Sequence, residues 1–288
     1  MLGRAPLYFG LLACFAFFPI FVALIQGQDS ILLLFLYCLS WTSLERGSEL
    51  ASGNWLALGL HKCHLVVPFV LPLWRRNKLV AGFLSVATVL GLISLAMVGW
   101  QSLLGYPRYL WGTEHDLKYG FNTLPGLTTN LRGLISGVVS SAHPEINTGL
   151  LVLLSAIVLL LMIYAAGKTS LADSEGRQAL FALGLVGTVL VSYHLYVHDL
   201  SLLFLAIVLV LEILLSNPPI PKWTRTTLYV CIALMFCSPF YLVLTLCYGQ
   251  LRLMAIVLLA FFVRLLSLIN SLRGQTGGTE SPPASAGR

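Results

Sequence analysis

The stretch Ser192-Tyr193-His194-Leu195-Tyr196-Val197-His198-Asp199 joins two apolar runs, residues 177–193 and 200–216, each close to the length that crosses a bilayer. It sets two imidazoles and a carboxylate at one membrane surface. Ionisable groups in or beside hydrocarbon are costly to keep, so they mark a functional-site candidate whose partner must be found. The competing reading is a polar connector whose histidines are merely solvated.

The whole chain has this character. Of 288 residues, 58% are hydrophobic and only 10% are charged, with a mean hydropathy of +0.88; soluble domains carry about 25% charged residues. Apolar runs recur near residues 5–26, 79–104, 148–166, 177–193, 200–216, 226–247 and 251–270, with shorter or interrupted ones near 31–44 and 50–74. The expectation is an all-α, polytopic membrane bundle of about eight to ten membrane helices, short and broken ones included. One membrane domain covers residues 1–272, with an external loop and interfacial helix in 105–147. The Gly/Ser/Pro-rich tail, 273–288, is expected to be disordered. The net charge of +6 does not point to nucleic acid, because the basic residues sit singly or in pairs at helix ends. Six cysteines lie mostly inside apolar runs and read as small hydrophobes, not a disulfide framework. The N-terminus shows no convincing cleavage site.

Arg75, Arg76 and Lys78, then Lys168 and Arg177, Lys222 and Arg225, and Arg264 and Arg273 fall on one side when helices are counted, the cytoplasm by the positive-inside rule. Residues 105–147, the 194–199 connector and Tyr248-Gly249-Gln250 then face outward. Segment 31–78 admits two readings. Two helices, 31–44 and 50–74, bury Lys62 near mid-membrane; three short elements with a break at His61-Lys62-Cys63-His64 bring it to the external side. The second is preferred, because an unpaired buried lysine is expensive and broken helices are tolerated where they line a cavity. It places all six histidines, His61, His64, His115, His143, His194 and His198, on the external face.

Four clusters carry candidate chemistry. Lys62 needs an anion, either a carboxylate such as Asp199 or a phosphate at headgroup depth; the bland reading is a snorkelling lysine. His61 and His64 at i, i+3 without a carboxylate are a weak metal signal. In Thr128-Thr129-Asn130-Leu131-Arg132-Gly133, after the Pro125-Gly126 turn, Asn130 reads as the cap of a helix over about 131–141. Arg132 offers a fork for phosphate there, or simply meets headgroups. Asp199 can orient or charge His198, making a proton acceptor or a cationic phosphate clamp. Gly27-Gln28-Asp29 adds polar groups at the external end of the first helix. Glu212 is expected to meet Lys222 or water. Trp74, Trp100, Tyr106, Tyr109, Trp111 and Trp223 read as interfacial belts.

The order of Gly27-Gln28, a Lys62-centred apolar run ending in Arg75-Arg76, Asn130-Leu131-Arg132-Gly133 in a long loop, and Tyr193-His194-Leu195-Tyr196-Val197-His198-Asp199-Leu200 resembles glycosyltransferase family 87, the alpha-1,2-mannosyltransferase-like group, from about residue 15 to 215. The family's lysine is typically followed by Pro-Gln; Cys63-His64 stands here instead. The resemblance implies a GT-C-type hexosyltransferase in a bacterial plasma membrane. It would move a sugar, mannosyl-like, from a polyprenyl-phosphate donor to a glycan or glycolipid acceptor at the external face. It implies His198 and Asp199 as catalytic groups, and Lys62, His64, Asn130, Arg132, Gln28 and His194 around the donor phosphate. No metal or other cofactor is required, though a divalent metal is left open. Family members keep a catalytic carboxylate in the first external loop. No match to it is found here, so the chain reads as the carboxy-terminal part of such an enzyme and is expected to be inactive as given. The rival class is a transporter or flippase for a lipid-linked or anionic solute. That class typically shows paired discontinuous helices, and one break is visible in the sequence. A structural subunit of an envelope-assembly complex is a third reading.

Overall fold

A computed structural model describes residues 7–115, 128–139, 144–169, 173–216 and 218–276, and among them every regular element is helical. The first apolar run, expected as one helix, is two: α1 (Leu7–Ala16) and α2 (Phe18–Ile25). The extended backbone of Phe17 and Pro19 in the first turn of α2 interrupt it; a proline there sacrifices no intrahelical bond. Gly27, at φ 61°, turns the chain into α3 (Ser30–Glu45).

The next segment settles the two readings of residues 31–78. Helix α4 (Glu49–Leu58) runs into a 3-10 turn, Gly59–Lys62, followed by α5 (Cys63–Val70) and a second 3-10 turn, Leu71–Leu73. By length and composition, 49–73 passes as one membrane span. However, Lys62 has non-helical dihedrals (φ −117°, ψ 61°), and the chain folds back there. The proof is close contact far along the sequence. A Cβ on Gly53 would lie 2.0 Å from the Leu79 carbonyl oxygen, whereas one straight helix over 49–73 would carry Leu73, and the chain that follows it, roughly 30 Å away from Gly53. Antiparallel to α3, α4 is fixed by the Ser40–Ser52 hydroxyl pair at 2.7 Å and Lys62–Ser30 at 2.8 Å. On the way back, the Tyr37 hydroxyl donates to the Leu65 carbonyl at 3.0 Å. The expected break is therefore real, and Lys62 sits at the tip of a helical hairpin.

Helix α6 (Asn77–His115) is kinked at Gly99 (φ 76°, ψ 165°) and runs well past residue 105, where the long loop was expected to begin. Then follow α7 (Leu131–Val138), α8 (Pro144–Lys168) and α9 (Ser174–Val191). Beyond the 3-10 turn Val197–Leu202 come α10 (Leu203–Leu215), α11 (Lys222–Phe236) and α12 (Ser238–Leu242), which passes into a π-helical turn, Val243–Cys247. The run 226–247, expected as one span, bends by 66° at Cys237, just before Ser238-Pro239. After the 3-10 turn Leu251–Leu253, α13 (Met254–Thr276) closes the described chain. Among the described residues, five helical stretches are long and apolar enough to cross a membrane, and the bent pair makes a sixth. The protein is an all-α polytopic membrane bundle, as its composition requires.

Helix α9 is the pillar: from Gln178 to Leu190 every residue is buried, and α5, α8, α10 and α13 pack around it. Its small residues permit close approach. Gly184 meets the Phe69 ring, and Gly187 meets Met162 and Phe262. Without a hydrophobic drive between helices in lipid, such packing is what holds them together.

The bundle has two chemically distinct ends. Helix α3 carries Ser30 at one and Glu45 at the other, roughly 24 Å apart at 1.5 Å per residue. At the Glu45 end, Arg177 pairs with Glu45 at 2.8 Å, Arg76 donates to the Thr169 carbonyl at 3.0 Å, and Arg273 donates to the Ala165 carbonyl at 2.9 Å. Arg76 and Arg273 thereby satisfy carbonyls at and just beyond the end of α8. Glu212 accepts from Gln178 at 3.2 Å, not from Lys222 as expected. The candidate site lies at the Ser30 end.

Candidate active site

Three sequence-distant elements meet at the hairpin tip. The α2–α3 turn brings Asp29 and Ser30, the hairpin brings Lys62, and the turn before α10 brings Asp199. The Lys62 ammonium lies 2.6 Å from Asp199 Oδ1, 2.8 Å from Asp29 Oδ1 and 2.8 Å from Ser30 Oγ. Two of these contacts are hydrogen bonds, to Asp199 and Ser30; the third, to Asp29, is an ion pair. Ser30 in turn donates to Asp199 Oδ1 at 2.8 Å, and the backbone N–H of Tyr196 donates to Asp199 Oδ2 at 3.1 Å. Buried charge is tolerable only when paired and hydrogen-bonded in this way.

The two carboxylates are not equivalent. The side chain of Asp199 is 3% exposed and held by three donors, whereas that of Asp29 is 49% exposed. Asp29 occupies the cap position of α3 yet makes no side-chain capping bond; its carboxylate turns to Lys62 instead. His61 Nε2 stands 3.8 Å from the other Asp29 oxygen. His198 Nδ1 lies 3.1 Å from Gln26 Oε1, an oxygen that only accepts. The ring's Nε2 faces Asp199 Oδ2 at 3.7 Å. Tyr196 stacks on the same ring, at 5.4 Å between centroids.

This cluster forms the polar floor of a cavity of about 870 Å³. Its lining combines the polar Gln26, Gln28, Asp29, Lys62, His64, His194, His198 and Asp199 with the apolar Phe18, Val22, Leu242, Leu246 and Leu251. His64 and His194 face each other with ring centroids 6.4 Å apart. Of the residues expected around a donor phosphate, Lys62, His64, Gln28 and His194 thus come together with His198 and Asp199.

Asn130 and Arg132 do not line this cavity. Asn130 is fully buried: its oxygen caps α7 by accepting from Gly133 N at 3.0 Å, as expected, and its amide nitrogen donates to the Ser192 carbonyl. Arg132 donates to the Tyr193 carbonyl at 3.3 Å and lies over the Tyr193 ring at 4.1 Å. Both hold the connector that carries His194 rather than reaching the floor. Ser30 and Gln26, which the sequence did not single out, are in direct contact with the charged groups. The four described histidines include the three lining the cavity and His61 beside Asp29; the His115 and His143 side chains lie outside the described residues. So do those of Arg108, Tyr109, Trp111 and Glu114, together with Asp116, Lys118, the Pro125-Gly126 turn and the tail from residue 277.

The described residues form a polytopic helical membrane bundle with a charged site at one end. Comparison with known families narrows this. The model for Glycosyltransferase family 87 matches residues 2–193, two thirds of the chain, and the chain belongs to that family. No curated protein and no solved structure matches it. The family makes it a membrane glycosyltransferase, and Lys62, Asp29 and Ser30 fall inside the matched stretch, while His198 and Asp199 follow it.

Proposed function

We propose that this chain transfers a hexosyl unit, mannosyl-like, from a polyprenyl-phosphate donor to a glycan or glycolipid acceptor at the external face of the membrane. The observation that carries this reading is a cavity lined both by a charged cluster and by apolar side chains. A lipid-linked sugar phosphate combines the same two characters: an anionic head on a hydrocarbon chain. Placement of the site at the end opposite Arg76, Arg177 and Arg273 supports the external face, given the bias of basic residues toward the cytoplasm.

In this reading Asp29, not Asp199, is the base. Asp199 is immobilised by three donors, whereas Asp29 has an exposed oxygen toward the cavity. Asp29 takes the proton of an acceptor hydroxyl as its oxygen bonds to the anomeric carbon. The bond from that carbon to the donor phosphate breaks, and its electron pair leaves on the phosphate oxygen. The departing polyprenyl phosphate gains charge, approaching two negative charges where the diester had one. Lys62, with His64 and His194 on the same floor, meets that charge where it grows, so the step calls for no metal. Asp29, in the turn between α2 and α3, thereby takes the role of the first-loop carboxylate, although its place right after Gly27-Gln28 does not match that motif.

The test is transfer by the purified full chain in lipid nanodiscs. Polyprenyl-phosphate-linked radiolabelled mannose serves as donor, with nucleotide-linked mannose as the control donor and a membrane glycolipid extract as acceptor. Label should appear in the acceptor from the lipid-linked donor only. Flux of label across sealed vesicles without transfer would convert the reading to that of a carrier.

A further inference from the structure

We infer that Asp29 and the donor's phosphate are alternative partners of Lys62: the anion enters by displacing Asp29, and the same displacement frees the base. The inference rests on the reading above and adds the order of events within it. Its ground is the occupancy around one nitrogen. The Lys62 ammonium donates to Asp199 and Ser30, and an Asp29 oxygen stands against it at 2.8 Å as an ion pair, so an anion reaches it only by replacing one of the three. Asp199 cannot yield, since it is 3% exposed and also held by Ser30 and the Tyr196 N–H. Ser30 is fully buried beneath the ammonium. Asp29 alone is half exposed, lies on the cavity surface and binds Lys62 through a single oxygen.

Charge points the same way. One lysine facing two carboxylates leaves the pocket with a carboxylate in excess when the histidines are neutral, and an arriving phosphate would be repelled unless one carboxylate moves off. Once Asp29 leaves Lys62 its carboxylate is free to meet the acceptor hydroxyl. The resting contact is therefore a latch, holding the base inert until an anion is in place.

Binding rather than turnover tests this. Farnesyl phosphate, farnesol and inorganic phosphate are titrated into the full chain in nanodiscs, for the wild type, Asp29→Asn, Asp29→Glu, Lys62→Met and the Asp29→Asn/Lys62→Met double variant. Removing the competing charge should tighten farnesyl phosphate binding about tenfold in Asp29→Asn, the scale of one relieved ion pair, with farnesol unchanged. Asp29→Glu, which keeps the competitor, should show no gain, and in the Lys62→Met background the Asn substitution should have no effect. A gain for inorganic phosphate as well leaves the exchange standing and assigns it to phosphate in general. Unchanged or weaker farnesyl phosphate binding by Asp29→Asn overturns the inference, as does a gain that persists without Lys62. Asp29→Ser serves in its place if Asp29→Asn melts below the titration temperature. Tighter binding combined with no transfer by the wild type would leave the exchange intact while sinking the transferase reading; transfer without tighter binding does the reverse.

Discussion

Lys62 and Asp199, 137 residues apart in the chain, meet at 2.6 Å with side-chain exposures of 10% and 3%. Their pairing ties the hairpin tip to the turn that opens α10. Removing one partner strands the other's charge, and breaking a buried pair in this way costs about 3–5 kcal/mol. Lys62→Met should therefore lower the melting temperature sharply in detergent. The Lys62→Met/Asp199→Asn double variant, which buries no lone charge at Asp199, should recover much of the loss. Melting curves of the single and double variants decide it; equal losses in both would show that the pair contributes nothing beyond packing.

Asp29 should separate activity from stability. With half its side chain in the cavity, Asp29→Asn should shift the melting temperature little while cutting sugar transfer by about 10²–10⁴-fold, the usual contribution of a general base. Asp199→Asn should do the opposite first, lowering thermal stability before any kinetic effect can be read. If Asp29→Asn kept wild-type transfer, the base would have to be sought elsewhere.

The crossing of α4 and α6 depends on two glycines. A Cβ at Gly53 would meet the Leu79 carbonyl oxygen at 2.0 Å, and one at Gly82 the Leu50 carbonyl oxygen at 2.1 Å. Backbone atoms cannot step aside as a side-chain tip can, so alanine at either position should cost at least about 1–3 kcal/mol. Gly91 has nothing within 4 Å, and Gly91→Ala should be neutral or stabilising by up to about 1 kcal/mol through helix propensity. Thermal melts of the three variants side by side give the comparison.

The two ends should label from opposite sides of a sealed membrane. In a cysteine-free background, Gln28→Cys on the cavity and Ser174→Cys at the start of α9 should react with a membrane-impermeant maleimide only from the external and cytoplasmic sides, respectively. Reaction of both from one side would overturn the assigned orientation of the site.

Asn130→Ala should lose the cap of α7, worth about 0.5–2 kcal/mol, together with the bond to the Ser192 carbonyl. Asn130→Asp keeps the acceptor for Gly133 but not the donor for Ser192, so it should recover only part of the loss in melting temperature.

Much of this was legible beforehand because it follows from local rules. The cost of an unpaired lysine in hydrocarbon called for a break at Lys62 and a carboxylate such as Asp199 beside it. The Pro-Gly turn and the residues after it marked Asn130 as a cap. Other features had no local signature. Asp29 looks like an ordinary helix-cap aspartate, and only the folded-back hairpin shows that its carboxylate points elsewhere. Ser30 and Gln26 are common residues whose importance comes from what stands opposite them. The spacing of Arg132 cannot reveal that it donates to the Tyr193 carbonyl and lies over the Tyr193 ring. Ser238-Pro239 did carry a signal for the bend at Cys237, but the apolar run on both sides masked it; Phe17 and Pro19 were hidden in the same way.

The π-helical turn at Val243–Cys247 supplies Thr245 and Leu246 to the cavity. A π turn carries one residue more than an α turn, so shortening this stretch by a single residue would restore ordinary register and swing those side chains by about 100°. The apolar lining of the pocket can therefore be re-cut without altering any charged group, and, under the proposed lipid-linked donor, preference for its hydrocarbon chain is the property such a deletion should retune.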